Sequence, residues 1–431
     1  MNYIEALNYI NDKNKFGSRL GLDVIGKLLD LLGNPHMDLK YVHVAGTNGK
    51  GSTSSFIATI LKEAGYRVGL FTSPYLERFN ERISINGEDI PDDRLAQITK
   101  MVKEKIEIML EEGYEHPTTF EIITAIAFVY FKEEKVDLVV LEVGLGGRSD
   151  STNVIEDSCV SVITTIDYDH TDVLGDTLEK IAYEKAGIIK ENGLVISYPQ
   201  EEEALKTIER VARDKRAEFF VCPMNQMEIT QLGDRGGIFN FKYEDKLYKE
   251  LEISLIGQHQ IYNACLALMT VLVLKDKGII QLHEEEIRRG LKNTRWPGRL
   301  EVLKRKPIFL IDGAHNLQGA KTLARSLKLF QYDKLILGMA ILKDKDVESI
   351  IKTLAPLADK IVITEVNMPR KMDAEDLEKV INKYNDNTII EKDMKMAVDK
   401  AYELAQEGDL IVFSGSLYLI GDIRKLILGN S

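Results

Sequence analysis

The chain has 431 residues, of which 44% are hydrophobic and 29% are charged, a composition that is ordinary for a folded globular protein. Lysine and arginine number 56 against 68 aspartates and glutamates, so the net charge is −12. This acidic balance argues against a protein that coats DNA or RNA, because such proteins need cationic surfaces. It leaves room for a local phosphate site, which backbone amides and a single lysine can form.

The cysteines and the apolar segments bear on where the protein acts. Cys159, Cys222 and Cys265 lack the spacing of metal ligands, and they predict reduced thiols in a cytoplasmic protein. Residues 1–16 mix polar and apolar side chains, unlike a signal peptide. The most apolar run, Ala264–Leu274, is shorter than the roughly 20 residues that span a bilayer. We therefore expect a cytoplasmic protein with neither a membrane nor a nucleic acid as a partner.

Short apolar runs alternate with amphipathic stretches through the first 200 residues. The predicted strands are Tyr41–Ala45, Arg67–Thr72, Asp137–Leu141, Val160–Ile166 and Leu194–Ser197. The predicted helices are Ser52–Ala64, Asp92–Glu112, Phe120–Glu134 and Leu178–Ile189. Strands that are apolar on both faces and are separated by helices predict an α/β fold with a mostly parallel sheet. From Phe219 to Ile253 the pattern shortens and predicts an antiparallel appendix.

A break at Trp296-Pro297-Gly298 predicts a domain boundary, because proline and glycine together interrupt regular structure. We therefore divide the chain into a larger α/β domain at residues 1–295 and a smaller Rossmann-like α/β domain at residues 296–431. The second domain has no glycine fingerprint of the GxGxxG type. Its predicted strands are Ile308–Ile311, Lys334–Gly338, Lys360–Thr364, Thr388–Ile390 and Leu410–Phe413.

The sequence Gly46-Thr47-Asn48-Gly49-Lys50-Gly51-Ser52-Thr53 follows a predicted strand and precedes a predicted helix. Its glycines let backbone amides face a phosphate, and the helix N-terminus adds partial positive charge. Lys50 supplies a full charge, and Ser52 or Thr53 offers a hydroxyl to Mg²⁺. One glycine separates the lysine from the hydroxyl residue, which departs from the usual P-loop spacing. The alternative is a glycine-rich turn without a ligand.

Polar residues follow three further predicted strands. They are Ser73, Glu142 and the sequence 167–170, Asp-Tyr-Asp-His. Ligands of parallel sheets bind beyond the carboxyl ends of the strands, so these oxygen ligands predict a magnesium site, with His170 as an unusual further ligand. Helix capping and loop contacts are the alternative roles. By spacing alone, Lys185 is a surface lysine of an amphipathic helix.

Two polar sequences in the second domain also follow predicted strands. They are Asp312-Gly313-Ala314-His315-Asn316 and Ser414-Gly415-Ser416. If these strand ends face the phosphate loop, the reaction takes place between the domains. The alternative is that Asp312 and Ser416 only cap helices.

Seven motifs in order identify a family resemblance over most of the chain. They are HVAGTNGKGST (43–53), FTSPYLERFNERI (71–83), LEVGLGGRSDSTNV (141–154), DHTDVLGDTLEKIAYEKAGIIK (169–190), WPGRLE (296–301), DGAHN (312–316) and SGSLYL (414–419). With these motifs the chain resembles the folylpolyglutamate synthase/dihydrofolate synthase family of the Mur-ligase-like superfamily. The resemblance implies an ATP-dependent ligase that adds L-glutamate to tetrahydrofolate through an acyl phosphate, and also to dihydropteroate. It further implies a monomer with two Mg²⁺ sites.

The resemblance also assigns roles to individual residues. Lys50, Lys185, Arg299 and His315 would be catalytic. The implied ATP-binding residues are Asn48, Gly49, Lys50, Gly51, Ser52, Asn263, Arg299 and Asp312. The implied metal ligands are Ser52, Ser73, Glu142, His170 and Lys185, the last as a carbamate. The incoming glutamate would meet His315 and Ser416.

The folate side carries one departure from the family pattern. The implied folate-binding residues are Phe79, Arg82, Thr118, Thr119, Phe120, Glu121, Ser149, Asp150 and Ser151. After Gly-Leu-Gly-Gly the family reads Arg-Leu-Asp-Ala-Thr-Asn, whereas serines stand here at positions 149 and 151. These two changes bear on whether dihydropteroate is accepted.

Two alternatives to this function are a Mur-like ligase with another carboxylate acceptor and a nucleotide-regulated binding module without turnover.

Overall fold

The computed structural model describes residues 1–12 and 21–429 of the chain, which form two compact units. The first unit comprises Met1–Glu228, Phe239–Glu252 and Tyr262–Thr294. The second comprises Ile229–Ile238, Ile253–Ile261 and Arg295–Ser431. The second unit thus includes two short segments from the middle of the chain. The division at residues 295 and 296 stays a prediction.

The first unit is built on an eight-stranded sheet with the order β4-β3-β2-β5-β1-β6-β7-β8. Its strands are β1 (Tyr41–Ala45), β2 (Val68–Phe71), β3 (Ile83–Ile85), β4 (Glu88–Asp89), β5 (Leu138–Glu142), β6 (Val160–Ile163), β7 (Leu194–Ser197) and β8 (Glu218–Val221). From β2 to β8 every neighbouring pair is parallel, whereas β3 and β4 add an antiparallel edge. The predicted mostly parallel α/β sheet is confirmed.

Helices cover this sheet and supply its cores. They are α1 (Tyr3–Asp12), α2 (Asp23–Leu31), α3 (Lys50–Glu63), α4 (Asp92–Glu111), α5 (Thr119–Glu133), α6 (Thr171–Leu174), α7 (Leu178–Lys185), α8 (Glu202–Asp214), α9 (Gln258–Asp276) and α10 (Glu284–Asn293). Apolar side chains of α1, α2, α4 and α5 pack with Phe71 in one cluster, and those of α7 and α8 pack with Ile163 and Val195 in another. β1 and β5 are buried along their whole lengths, and because successive side chains of a strand point to opposite faces, both faces of these central strands are covered.

The antiparallel appendix begins later than predicted. Phe219 lies in β8, which pairs in parallel with β7 and so belongs to the large sheet. The appendix is a three-stranded sheet of β9 (Met227–Gly233), β10 (Gly236–Tyr243) and β11 (Lys246–Ile253), in the order β11-β10-β9. The prediction was wrong about Phe219–Val221 because periodicity within one strand does not reveal the direction of its neighbour.

The second unit contains a six-stranded sheet with the order β12-β13-β17-β14-β15-β16. The strands are β12 (Glu301–Arg305), β13 (Ile308–Asp312), β14 (Leu335–Met339), β15 (Lys360–Ile363), β16 (Thr388–Ile390) and β17 (Leu410–Ser414). All neighbours are parallel except β12 and β13. The helices are α11 (Leu317–Ser326), α12 (Val347–Leu354), α13 (Ala374–Ile381), α14 (Met394–Leu404) and α15 (Leu417–Leu428).

None of the helices in residues 1–12 and 21–429 has the length and apolar character that crossing a membrane requires.

The contact between α3 and α10 generates a stability prediction. A Cβ at Gly290 of α10 would lie 2.5 Å from Cα of Ile60, so Gly290→Ala must push two helix backbones apart. We expect this substitution to lower the free energy of unfolding by about 1–3 kcal/mol. The control is Gly26→Ala in α2, where a Cβ meets no atom within 4 Å and helix propensity favours alanine by about 0.5–1 kcal/mol.

Thermal unfolding followed by circular dichroism measures both variants. Gly26→Ala should unfold at or above the temperature of the natural protein, and Gly290→Ala several degrees below it. Equal unfolding temperatures for the two variants would contradict the close helix contact.

Candidate active site

Four adjacent parallel strands of the first unit end at one edge of its sheet. In the order β2, β5, β1, β6, their carboxyl ends carry Ser73, Glu142, the loop from Gly46 to Gly49, and the sequence from Thr164 onward. The edge beyond the carboxyl ends is where parallel sheets bind ligands. The topology therefore brings the phosphate loop and the predicted oxygen ligands to the same edge.

Two glycines give the phosphate loop its shape. Gly46 has φ 152° and Gly49 has φ 84°, and a Cβ at either position would meet a neighbouring side chain. At Gly46 the Cβ would lie 1.8 Å from Thr164 Oγ1, and at Gly49 it would lie 2.6 Å from Asn263 Oδ1. The loop thus packs directly against Asn263, for which the family resemblance implies a contact with ATP. Gly49 caps α3, and Lys50, Gly51 and Ser52 form its first turn.

The end of β6 holds this loop in place. The amide of Thr47 donates to the carbonyl of Thr165 at 2.7 Å, and the hydroxyl of Thr164 donates to the carbonyl of Asn48 at 2.7 Å. The hydroxyl of Thr47 lies 3.0 Å from both the carbonyl oxygen and the amide nitrogen of Asp167. The protein's own hydrogen bonds to β6 and to Asp167 therefore hold the conformation of this loop.

Two lysine side chains meet at the carbonyl oxygen of Gly46. Lys50 Nζ donates to it at 3.0 Å, and Lys185 Nζ donates to it at 2.9 Å. Lys185 is 4% exposed, and burial, with Lys50 as the second cause, lowers the pKa of its amine to about 7. The interpretation of Lys185 as a surface lysine was wrong. It lies four residues after Ile181, on the buried side of α7.

The side chain of Glu142 lies buried at this edge of the sheet. Glu142 is buried at the end of β5, and its Oε2 accepts a hydrogen bond from the amide of Ser73 at 3.2 Å. Ser52 is also buried. His170 is placed differently, since it stands exposed at φ 52° immediately before α6, with its amide bonded to Asp169. The described part of the chain contains no preformed group of three or more His, Cys, Asp or Glu side chains that could hold a metal ion.

The predicted folate residues also make structural contacts. Thr118 and Glu121 form a capping box at the start of α5, in which each side chain accepts a hydrogen bond from the other residue's backbone amide. Phe120 packs with a ring-centroid distance of 5.9 Å to Phe71, and the hydroxyl of Thr119 donates to the carbonyl of Ile10. These contacts hold the N-terminus of α5 in place. Their role toward folate stays a prediction.

The remaining predicted folate residues lie in two places. The guanidinium of Arg82 lies 5.1 Å from the ring centroid of Tyr75 and 5.9 Å from that of Phe79, a cation–π arrangement. Ser149 is partly exposed in the loop after β5, and Ser151 begins the short 3₁₀ turn Ser151–Val154 and is buried.

Asp150, between the two serines, has an extensive set of protein partners. Its Oδ2 accepts from the amide of Leu145 at 2.8 Å, and its Oδ1 accepts from both the amide and the hydroxyl of Thr152 at 3.0 and 2.6 Å. Burial raises the pKa of this carboxyl group above its ordinary value, although the hydrogen bonds by themselves would lower it. Nε2 of His43 lies 2.9 Å from Thr152 Oγ1. Sequence reasoning missed His43, although a histidine within the otherwise apolar β1 was a usable signal.

The second unit gathers its predicted residues at the carboxyl ends of β13 and β17. Asp312 accepts from the amides of Leu300 and Ala314, each at 2.9 Å. Burial raises the pKa of its carboxyl group, and Arg299 opposes this shift. A Cβ at Gly313 would lie 2.1 Å from Nη1 of Arg299, so the guanidinium rests on that backbone. The Nδ1–H of His315 donates to the carbonyl of Gly313 at 2.8 Å.

Ser416 acts as the N-cap of α15, where its hydroxyl accepts from the amide of Tyr418 at 3.2 Å. Ser416 thus caps α15, whereas Asp312 binds loop amides and caps no helix, and the role of Ser416 toward glutamate stays a prediction. Sequence reasoning also missed His259, whose imidazole has a pKa lowered to about 4 by burial and by Arg299.

Comparison with known proteins agrees with this architecture. The family profile "Mur ligase middle domain" matches residues 44–271, and "Mur ligase, glutamate ligase domain" matches residues 298–417. The dihydrofolate synthase/folylpolyglutamate synthase of Bacillus subtilis is 40% identical over 98% of this chain and 98% of its own length. The chain belongs to the Mur ligase family, and within it to the folylpolyglutamate synthase/dihydrofolate synthase group of ATP-dependent ligases.

Two solved structures share the whole fold. Mycobacterium tuberculosis folylpolyglutamate synthase complexed with ADP has a TM-score of 0.90 and 30% identity, and the match covers 99% of both chains. E. coli FolC in complex with DHPP and ADP has a TM-score of 0.87 and 29% identity, and the match covers 100% of this chain and 98% of that one. The predicted family and fold class are therefore confirmed.

The buried amine of Lys185 generates a pH prediction. Its pKa of about 7 lies below the ordinary 10.5, so between these values the unfolded chain holds a proton that the folded chain lacks. Ionisation of Lys185 therefore makes the free energy of unfolding rise with pH across this window. NMR of the lysine side chains, in buffer freed of carbon dioxide, should show Lys185 titrating near pH 7.

Lys180 on the same helix is the internal control, since its hydrogen bond to Asp176 raises the pKa of its amine above 10.5. A Lys185 resonance that titrates together with Lys180 would contradict the buried, neutral amine.

Proposed function

We propose that this protein uses ATP to attach L-glutamate to tetrahydrofolate, and also to dihydropteroate, through an acyl phosphate. The observation that carries the proposal is the fixed phosphate loop, where Lys50 and Lys185 meet at the carbonyl of Gly46. The neighbouring strand end carries Glu142. The full-length match to the Bacillus relative, whose name states both activities, supports the choice of substrates.

The chemistry explains why a phosphate loop is needed. A carboxylate is a poor electrophile, and its oxygen is a poor leaving group. Transfer of the γ-phosphoryl group of ATP onto the carboxylate gives an acyl phosphate and ADP. The amine of glutamate then attacks the acyl carbon, loses a proton and displaces phosphate, which leaves an amide. In-line phosphoryl transfer between two anions depends on positioning and on cationic groups.

The first turn of α3 is suited to hold the phosphates of ATP. Gly49, Lys50 and Gly51 offer backbone amides at the positive end of the helix, and Asn48 precedes them in the loop. Lys50 now donates to the carbonyls of Gly46 and Thr47, and a phosphate oxygen would replace these acceptors. Asn263 lies beside the loop and would contact the same nucleotide.

The donor set beside the loop fits Mg²⁺. This ion takes one or two carboxylates together with water and substrate phosphates, so it does not require a preformed cage of side chains. Ser52, Ser73, Glu142 and His170 would hold it, directly or through water. Bound Mg²⁺ supplies charge neutralisation at the transferring phosphoryl group.

A carbamate on Lys185 would hold a second Mg²⁺. Only a neutral amine adds carbon dioxide, and a pKa of about 7 leaves much of the Lys185 amine neutral near pH 7. The added group would convert a buried cation into a carboxylate. It would also remove the repulsion between Lys185 and Lys50, which lowers the pKa of the amine in the unmodified protein.

Residues of the second unit would complete the reaction. Arg299 would stabilise charge on the transferring phosphoryl group, as arginines do in other phosphoryl transfers. Asp312 would contact ATP, and His315 and Ser416 would contact the incoming glutamate. Hydrogen bonds to backbone fix Asp312 and His315 within this unit, which supports a positioning role for both.

The folate would contact Phe79 and Arg82, the start of α5 from Thr118 to Glu121, and the loop from Ser149 to Ser151. The guanidinium of Arg82 lies over aromatic rings, so this region offers both an aromatic surface and a positive charge. The pterin–benzoate part of the substrate has aromatic rings and a carboxylate, which would contact that surface and that charge.

We include in the proposal a monomer acting in the cytoplasm, where the free thiols of Cys159, Cys222 and Cys265 would stay reduced.

Phosphate release in the presence of ATP, Mg²⁺ and L-glutamate tests the proposed reaction. Release should require a folate acceptor, and tetrahydrofolate and dihydropteroate are compared. Lys50→Ala should lower turnover by roughly two orders of magnitude or more, because it removes a charge from the transition state. Lys62→Ala is the matched control, since Lys62 is exposed on the same helix.

Lys62→Ala should keep the activity of the natural protein. Phosphate release that is independent of glutamate or of folate would contradict the ligase. Release that needs another carboxylate acceptor would indicate a different Mur-type substrate.

The serines at positions 149 and 151 generate a specificity prediction. Ser149→Leu together with Ser151→Ala restores the apolar residues of the family pattern in the loop beside Asp150. We expect a change of about threefold or more in the ratio of kcat/KM for dihydropteroate to that for tetrahydrofolate, because one or two methyl groups in a pocket change binding by about 1 kcal/mol each. Ser158→Ala, a buried serine outside this loop, is the control. An unchanged ratio would show that these positions do not select the pterin substrate.

A further inference from the structure

His43 is a fully buried histidine in the central strand of the large sheet. It lies in β1 opposite Leu141 of β5 and Ser161 of β6, three residues before Gly46. Burial, followed by the charge of Lys190, lowers the pKa of its imidazole well below the ordinary value. The ring is therefore neutral and carries one N–H.

The neighbouring hydroxyl determines which ring nitrogen carries that hydrogen. Thr152 Oγ1 lies 2.9 Å from His43 Nε2 and 2.6 Å from Asp150 Oδ1. A carboxylate oxygen only accepts, so the single hydroxyl hydrogen of Thr152 goes to Asp150. His43 Nε2 must then donate to Thr152. Nδ1 of His43 is left buried and has no hydrogen-bond partner within residues 1–12 and 21–429.

A directed chain of hydrogen bonds thus runs from His43 through Thr152 to Asp150. At its end the carboxylate of Asp150 also binds the amides of Leu145 and Thr152, which lie at the two ends of the loop after β5. This carboxylate closes the loop, and the chain connects that closure to β1. A buried Nδ1 without a partner is unfavourable, so packing alone does not explain a histidine here.

The closed loop lies against the end of the helix that carries Lys185. The amide of Arg148 donates to the carbonyl of Glu184 at 2.8 Å. A Cβ at Gly147 would lie 2.9 Å from the carbonyl oxygens of both Glu184 and Lys185. The loop also begins directly after Glu142 and Val143. Its conformation therefore helps to set where the backbone of Lys185 lies relative to Glu142.

We propose that His43 is a positioning residue for the ligase reaction, acting through Thr152 and Asp150 on the loop that supports Lys185 and Glu142. This inference rests on the function proposed above. His43 touches neither substrate nor nucleotide in this role. It keeps the Thr152 hydroxyl directed at Asp150, so that the loop holds one conformation during phosphoryl transfer.

Three substitutions test the chain. His43→Leu removes the donor at similar volume, Thr152→Val removes the hydroxyl, and His43→Gln keeps an N–H near the position of Nε2. We expect the first two to lower kcat by about 10- to 100-fold, the cost of misplacing reacting groups by about 1 Å, with KM for ATP changed by no more than about twofold. His43→Gln should recover most of the lost kcat.

The double variant should be no slower than the slower single variant, because the two residues act in one chain. Thr99→Val is the matched control. It also removes a buried threonine hydroxyl, which donates to the carbonyl of Leu95 in α4. It should lower the unfolding temperature comparably and leave kcat unchanged. Independent, multiplicative losses in the double variant, or an equal kcat loss in Thr99→Val, would overturn the proposal.

Two further measurements do not depend on activity. Nitrogen NMR of the natural protein should show that His43 carries its hydrogen on Nε2 and none on Nδ1. The opposite tautomer would contradict the proposed direction of the hydrogen bonds from His43 to Asp150 and overturn the proposal. Amide hydrogen exchange at Leu145 and Thr152 should accelerate in His43→Leu and not in Thr99→Val, and unchanged exchange would overturn it too. If the natural protein ligated no glutamate, the proposed function would fail, while these two measurements would still decide the hydrogen-bond chain.

Discussion

The account depends on the carbonyl oxygen of Gly46, which accepts hydrogen bonds from both Lys50 and Lys185. Burial, and secondly the charge of Lys50, lower the pKa of the Lys185 amine to about 7. Lys50, the first residue of α3, thus contributes to the protonation state of a lysine 135 positions further along the chain. In the proposed reaction, phosphate binding by Lys50 and carbamate formation on Lys185 would both take place at this contact.

The fold makes this contact possible through the order of its strands. Placing β5 and β6 on either side of β1 brings Glu142 and the Thr164–Asp167 segment to the two sides of the phosphate loop. Gly46 and Gly49 let Thr164 and Asn263 pack where a side chain would otherwise stand. The polar chain from His43 to Asp150 adds a second connection between β1 and the loop after β5. These contacts bring Lys50, Lys185 and Glu142 to one edge of the large sheet within the first unit.

The sequence predicted the parts of this arrangement that local patterns encode. The apolar run of β1 followed by glycines and Lys50 predicted the loop between β1 and α3, and the strand ends predicted that Ser73 and Glu142 are neighbours. Burial of Lys185 escaped the spacing argument because an amphipathic pattern does not say whether a lysine at its margin contacts a distant loop. β8 was misassigned because parallel pairing joins segments that are remote in sequence. The helices α1, α2, α8 and α15 and the edge strand β12 were not anticipated.

A crystal structure of the protein grown with ADP, Mg²⁺ and bicarbonate tests the central claim most directly. The account predicts that Lys50 Nζ leaves the Gly46 carbonyl for a phosphate oxygen and that Lys185 Nζ carries a carbamate directed at the metal. An unmodified Lys185 still bonded to Gly46, with the phosphates bound away from Lys50, would contradict it.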